Sequence, residues 1–139
     1  MNGNQKFFKC NHCGNMAGLV QDKGVPIVCC GEKMAELAAN TVDASFEKHL
    51  PAVSSESGAC SCGCGDNCNC VSVQVGSVAH PMEDAHHISF VYVETEQGGQ
   101  RKALKIGAEP KLNFCIVNDK PIAVYAYCNL HGLWKTEVK

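Results

Sequence analysis

Val124-Tyr125-Ala126-Tyr127-Cys128-Asn129-Leu130-His131-Gly132-Leu133-Trp134 is the stretch that decides the architecture. Val124, Ala126 and Cys128 recur at every second position, the period of a strand, so a thiol shares a face with two apolar side chains. Trp134 to Val138 reads as one more, final strand. Upstream the alternation repeats in Val71, Val73 and Val75, in Ile88, Phe90 and Tyr92, and in Leu112, Phe114 and Ile116. Gln97-Gly98-Gly99-Gln100 and Asn118-Asp119 have the composition of turns between such strands. No stretch shows helical periodicity, and no internal repeat is present. Short strands with frequent turns predict a mainly β protein built as an antiparallel sandwich.

The chain of 139 residues has room for one domain, or for a small one joined to a medium one. Hydrophobic residues at 45% and charged residues at 19% fit a globular protein. The net charge of -2, without a basic stripe or a long charge run, argues against nucleic-acid and membrane partners. The first nine residues lack the apolar stretch of a secretion signal, and no run is long enough to span a bilayer, so a soluble cytoplasmic protein is expected. Eleven cysteines stand out. In a reducing compartment, and at an odd number, they point to metal binding in preference to a disulfide framework.

Those cysteines fall into three groups. Cys10, Cys13, Cys29 and Cys30 come first; Cys60, Cys62, Cys64, Cys68 and Cys70 follow; Cys115 and Cys128 lie far downstream. Histidines 49, 80, 86, 87 and 131 all come after the first group, which predicts two sites of different chemistry on two modules. Residues 1–37 read as a small cysteine knuckle, too short for much of a core, so that a metal supplies its folding free energy. Residues 38–139 read as the sandwich, with a Ser-, Gly- and Cys-rich loop inserted at about 54–70.

Cys10-x2-Cys13 puts two sulfurs on one turn, and the adjacent Cys29-Cys30 completes a tetrahedral set of four thiolates. Gly14 and Gly31 permit the tight turns this needs. The spacing suits zinc and iron equally. His12, between two of these ligands, is expected to be an exposed spectator. The adjacent cysteines resemble desulforedoxin, whose iron is bound by C-x2-C and then Cys-Cys, and that resemblance favours iron. A metal with four thiolates has no open position, so electron transfer or structure is its implied role.

Phe46-Glu47-Lys48-His49-Leu50-Pro51, His80-Pro81-Met82-Glu83-Asp84-Ala85-His86 and Cys128-Asn129-Leu130-His131-Gly132-Leu133-Trp134 match, in order, E-K-H-x-P, H-P-M-x3-H and C-N-x-H-G-x-W. On these segments the chain resembles the desulfoferrodoxin and neelaredoxin family over nearly its whole length except about residues 54–70. The resemblance implies an immunoglobulin-like sandwich, commonly dimeric. It implies a second iron held in a plane by His49, His80, His86 and His131 and axially by Cys128, with the sixth position open. It implies one-electron reduction of superoxide to hydrogen peroxide, with electrons from rubredoxin or a similar small carrier. Lys48 is assigned to attraction of superoxide and to protonation, and Glu47, by the same resemblance, to occupying the open position of oxidised iron. His87 is read as a spectator, because the spacing from His80 selects His86. Cys115 is read as a buried small strand residue, and Tyr127 and Trp134 as packing residues, with shielding of the site as a further role.

Cys60-Ser61-Cys62-Gly63-Cys64-Gly65-Asp66-Asn67-Cys68-Asn69-Cys70 departs from the family pattern. Three readings stand side by side: an extra soft-metal site, a thiol–disulfide redox loop, and an insertion with no fixed ligand. Two alternatives to the enzyme are a non-catalytic iron electron carrier and a metal-storage protein built on this insertion.

Overall fold

The computed structural model describes residues 3–57 and 68–138. The chain divides into two compact units, Asn4–Ala38 and Ala39–Lys139 together with Met1–Gly3. Among the described residues, no helix is long and apolar enough to cross a membrane.

In the small unit, β1 (Phe7–Lys9) pairs antiparallel with β2 (Met16–Gly18) and with β5 (Ala35–Glu36), while β3 (Val28–Cys29) pairs with β4 (Glu32–Lys33). Cys29 faces Glu32 across a two-residue turn of Cys30 and Gly31, with φ of 54° and 77°. Positive φ at both central positions is the twist-matched hairpin geometry. That turn is why two ligand-type cysteines can stand side by side in sequence.

The large unit opens with a single helical turn, α1 (Phe46–His49), followed by β6 (Pro51–Ser57), β7 (Cys68–Val75), β8 (Ile88–Thr95), β9 (Gly98–Ala103), β10 (Lys111–Val117), β11 (Pro121–Cys128) and β12 (Gly132–Glu137). These strands form two antiparallel sheets, β10-β7-β6 and β12-β11-β8-β9. Val71, Val73, Val75, Phe114 and Ile116 of the first sheet meet Ile88, Val91, Val93, Val124, Ala126 and Cys128 of the second in one core. The predicted sandwich and the shared face of Val124, Ala126 and Cys128 are both present.

Three expectations need correction. The region 54–70 is not all loop: Ser54–Ser57 belong to β6 and Cys68–Cys70 to β7. Few apolar residues mark these strands because Ala52, Ser54 and Glu56 lie on an exposed face. Cys60, Cys62 and Cys64 lie outside the described residues. Next, Gly98 and Gly99 are strand residues, and the turn is Glu96-Gln97, since Thr95 already pairs with Gly98. Gly99 is needed in the strand because a Cβ there would collide with the Tyr92 ring. Finally, Phe90 and Tyr92 do not share the core with Ile88. The pairing runs Tyr127 to Phe90 and then Cys128 to Ile88, skipping Ser89, and this bulge exchanges the faces. Val91 and Val93 therefore enter the core, and Phe90 stacks on Tyr127 at 5.9 Å outside it.

Burial predicts the energetics along β10. Phe114 is fully buried and Val117 is 50% exposed. Phe114→Ala should cost about 3–5 kcal/mol and Val117→Ala less than about 0.5 kcal/mol, both read from the denaturant midpoint at constant m-value.

Candidate metal centres

Cys10, Cys13, Cys29 and Cys30 have their sulfurs within 4.8 Å of one another. The turn after β1 is closed by Cys10 N–H to Asn15 O at 2.8 Å and Gly14 N–H to Cys10 O at 2.9 Å. This aims backbone amides at sulfur: Cys13 N–H reaches Cys10 Sγ at 3.5 Å and Asn15 N–H reaches Cys13 Sγ at 3.4 Å. The amides of Cys13 and then His12 hold the Cys10 thiol down at about 6. Hydrogen bonding with Cys13 and Cys10 pushes Cys30 up to about 12, and Cys29 is also raised. One sulfur thus ionises readily while its neighbours resist. Four thiolates so close repel, and a cation among them removes that resistance. The donor set fits a tetrahedral metal. His12 is exposed and outside the set, in line with its reading as a spectator.

The second centre sits at one end of the sandwich. His49 ends α1 just before β6; His80 follows β7; His86 precedes β8; Cys128 ends β11; His131 lies in the turn to β12. Antiparallel pairing brings these five points together, since Pro51 faces Val75, Ile88 faces Cys128, and Cys128 faces Gly132. A single helical turn has little stability alone. Here Ser77 Oγ and Val78 N–H both donate to Glu47 O, at 3.2 and 3.0 Å. Gly76 makes this approach possible: a Cβ there would lie 2.5 Å from Glu47 O and 2.9 Å from Leu50 O. Pro51 then ends the helix.

The four imidazoles form a closed ring. Neighbouring centroids are 4.7 Å apart for His49–His80, 4.6 Å for His80–His86, 5.1 Å for His86–His131 and 4.8 Å for His49–His131, every pair near perpendicular. The diagonal His49–His86 is longer, 6.3 Å. His49 Nε2 lies 3.2 Å from His80 Nε2 and 3.1 Å from His131 Nδ1. Ligand atoms of His49, His86, Cys128 and His131 fall within 4.8 Å of one another, with His80 against His49. Cys128 is fully buried within the core, whereas His86 and His131 are half-buried, so part of the ring reaches solvent.

Contacts on the outer side orient the rings. His49 Nδ1 meets Ser45 O at 2.6 Å and His80 Nδ1 meets Pro81 O at 2.7 Å. Carbonyls only accept, so both Nδ1 atoms carry the proton and both Nε2 lone pairs turn inward. The buried His86 Nε2 has no hydrogen-bond partner. An orphaned inward nitrogen beside two inward lone pairs and a buried sulfur fits a metal ion held by imidazole and thiolate. Burial depresses His49, His86 and His80, the last to about 4, with weaker contributions from the other rings, and from Lys48 at His49 and His86. These three imidazoles are thereby favoured in the neutral form that ligation requires. Glu47 and Lys48 are exposed on α1 next to buried His49. His87 Nδ1 faces the carbonyls of Glu83 and Asp84 and stays out of the ring.

One positioning residue went unread in the sequence. Asn129 clamps the His86 loop: its side chain accepts from His87 N–H at 2.9 Å and donates to Ala85 O at 3.0 Å, while its own N–H donates to His87 O at 3.1 Å. Its place between Cys128 and His131 was the available signal. Trp134, expected as packing, stacks on His49 at 4.8 Å and donates its indole N–H to His131 O at 3.1 Å. Tyr127 packs on Phe90, away from the ring.

Fold and sites together define a class, the β-sandwich metalloproteins that pair a four-thiolate knuckle with a histidine–thiolate centre. The Desulfoferrodoxin family model matches residues 41–137. A desulfoferrodoxin homolog of Archaeoglobus fulgidus is 40% identical, covering 93% of this chain and 94% of its own length. The desulfoferrodoxin of Nitratidesulfovibrio vulgaris is 39% identical, covering 95% of each. Among solved structures, the superoxide reductase from Treponema pallidum superposes with a TM-score of 0.74 at 31% identity, over 97% of this chain and all of its own. The chain belongs to the desulfoferrodoxin family.

Two outcomes follow. Asn129→Ala should weaken metal retention at the histidine centre by about 10–100-fold, measured by chelator competition, with the four-sulfur centre unaffected. For the metal-free chain the folded His80 value of about 4 lies below the ordinary 6.5. Stability is full above about pH 6.5 and is lost as pH falls towards 4. Thermal melts should show that fall, and a His80→Gln variant should show less of it.

Proposed function

We propose that this chain is a superoxide reductase. It takes one electron and two protons per superoxide, makes hydrogen peroxide and releases no dioxygen. The carrying observation is the closed ring of four imidazoles beside the buried Cys128 sulfur, with His86 and His131 half-buried. The solved relative from Treponema pallidum bears the same activity in its name. On this reading His49, His80, His86, His131 and Cys128 hold the catalytic iron, and Cys10, Cys13, Cys29 and Cys30 hold a second iron. Iron in the histidine centre supplies the one-electron transfer.

The protein residues divide the remaining work. The four imidazoles would hold the metal without adding charge. With iron bound, Cys128, set in an apolar core, would add negative charge in a low-dielectric setting and favour electron donation to the substrate. Lys48, exposed beside His49, attracts the anionic substrate and supplies hydrogen bonds for protonation of the product. Glu47, exposed on the same turn, covers the open side in the oxidised enzyme. A small carrier such as rubredoxin supplies the electron, and the enzyme works as a cytoplasmic homodimer.

Pulse radiolysis of the reduced, iron-loaded protein tests this. Superoxide should disappear at a second-order rate approaching about 10⁸–10⁹ M⁻¹s⁻¹, with one peroxide formed per superoxide. Decay no faster than spontaneous dismutation would refute the assignment. Lys48→Ala should slow the encounter, most at low ionic strength. Cys13→Ser should abolish the four-sulfur absorption and leave the superoxide rate unchanged.

A further inference from the structure

The small unit has little of its own to hold it together. Among residues 4–38 only Phe7, Cys10 and Met34 are buried. Segments below about 40 residues usually need a metal, a disulfide or another staple. Both ends of this one run into the large unit, at Gly3 and at Ala39-Asn40. Both are bound there by β12, an edge strand. At the exit, Asn40 N–H donates to Leu133 O at 3.0 Å. The Asn40 side chain donates to Lys135 O at 3.1 Å and accepts from Lys135 N–H at 2.9 Å, covering main-chain groups on the open side of the strand. At the entry, Gly3 N–H donates to Glu137 Oε2 at 2.9 Å, and Gly3 O accepts from Lys135 Nζ at 2.5 Å. Lys135 and Glu137 share one face of β12 and pair at 2.8 Å. The Lys135 ammonium also lies over the Tyr125 ring, 5.6 Å from its centroid, and its side chain is only 20% exposed. Position 3 admits no side chain: a Cβ there would lie 2.6 Å from Ala123 Cβ and 2.9 Å from the Tyr125 hydroxyl.

We propose that Lys135 is the staple of the small unit, fixing the entry and the exit of residues 4–38 on one strand and so helping the four-sulfur centre to keep its metal. One residue binds both ends, its main chain at Asn40 and its ammonium at Gly3. The segment between them is thereby a closed loop, and closure removes freedom that an open chain would regain on unfolding. Retention of a metal by four cysteines tracks the stability of the fold that places them. Lys135 is thus a positioning residue that acts through the chain ends. Its neighbour Trp134 points to the opposite face and serves the histidine centre instead. The inference rests on the four sulfurs holding a metal, zinc or iron, and not on superoxide reduction.

The test uses the full chain with both centres metal-loaded. EDTA and iodoacetamide are added together, and alkylation of Cys10, Cys13, Cys29 and Cys30 is followed by mass spectrometry. Hydrogen exchange is followed in the peptides that hold residues 3 and 40. Lys135→Met and, separately, Asn40→Ala should each raise the alkylation rate and both exchange rates by about 5- to 10-fold, the loss expected of one such bond. Either variant affects both ends, because a loop is closed only while both are held. Lys135→Arg keeps a charged donor and should restore the parental rates. Lys102 makes the same kind of bond, to Asn113 O at 2.5 Å, away from the chain ends. Lys102→Met should therefore leave the alkylation rate unchanged. The proposal is overturned if Lys135→Met and Asn40→Ala open the four cysteines no faster than the parent does. It is also overturned if Lys102→Met opens them equally fast. If the parent's four thiols react before EDTA is added, the four-sulfur metal reading fails, and exchange at residues 3 and 40 decides alone: unchanged exchange in both variants overturns the staple.

Discussion

The large unit depends on one constraint: polar ligand atoms must be withdrawn from water and yet left with unfilled lone pairs. A buried nitrogen with no partner costs about 1–3 kcal/mol, and His86 Nε2 is such an atom. Bonds on the outer side of the ring prevent relief by rotation. With Nδ1 of His49 and His80 held on the Ser45 and Pro81 carbonyls, the inner nitrogens cannot turn away. A single metal ion would satisfy the inner lone pairs together.

Antiparallel topology makes the arrangement rigid. Five ligand positions scattered over 82 residues of sequence, from His49 to His131, become neighbours because the start of one strand lies beside the end of the next. Cys128 belongs both to the core and to the site, so packing and ligation are coupled at that sulfur. Asn129 and Trp134 extend the coupling outwards, one to the loop of His86, the other to the ring of His49 and the backbone of His131. In the small unit the constraint is electrostatic instead. Its sulfurs are brought together by a hairpin and a turn, and their mutual repulsion is what a cation relieves.

The opposite ends of β7 have contrasting chemistry. One leads to the His80 imidazole, held neutral by burial; the other begins with cysteines on the outer face, where strand alternation calls for polar residues. Cys115, read as a buried small strand residue, lies in β10 and is half-buried, with its cross-strand neighbour Cys70 supplied by β7, which the local composition had hidden.

By itself the sequence determined the ligand types, their segregation into two chemistries, and the sandwich, because residue identity and a period of two are local properties. The segments around His49, His80 and Cys128 were legible for the same reason. Tertiary structure alone decided what depends on register. The bulge at Ser89 chose Val91 and Val93 for the core over Phe90 and Tyr92. Strand pairing set Cys115 beside Cys68 and Cys70. The roles of Asn129 and Trp134 arose only when loops distant in sequence met. A one-residue shift of register reverses the face of every side chain, and single-strand periodicity carries no record of which partner strand, or which bulge, will impose it.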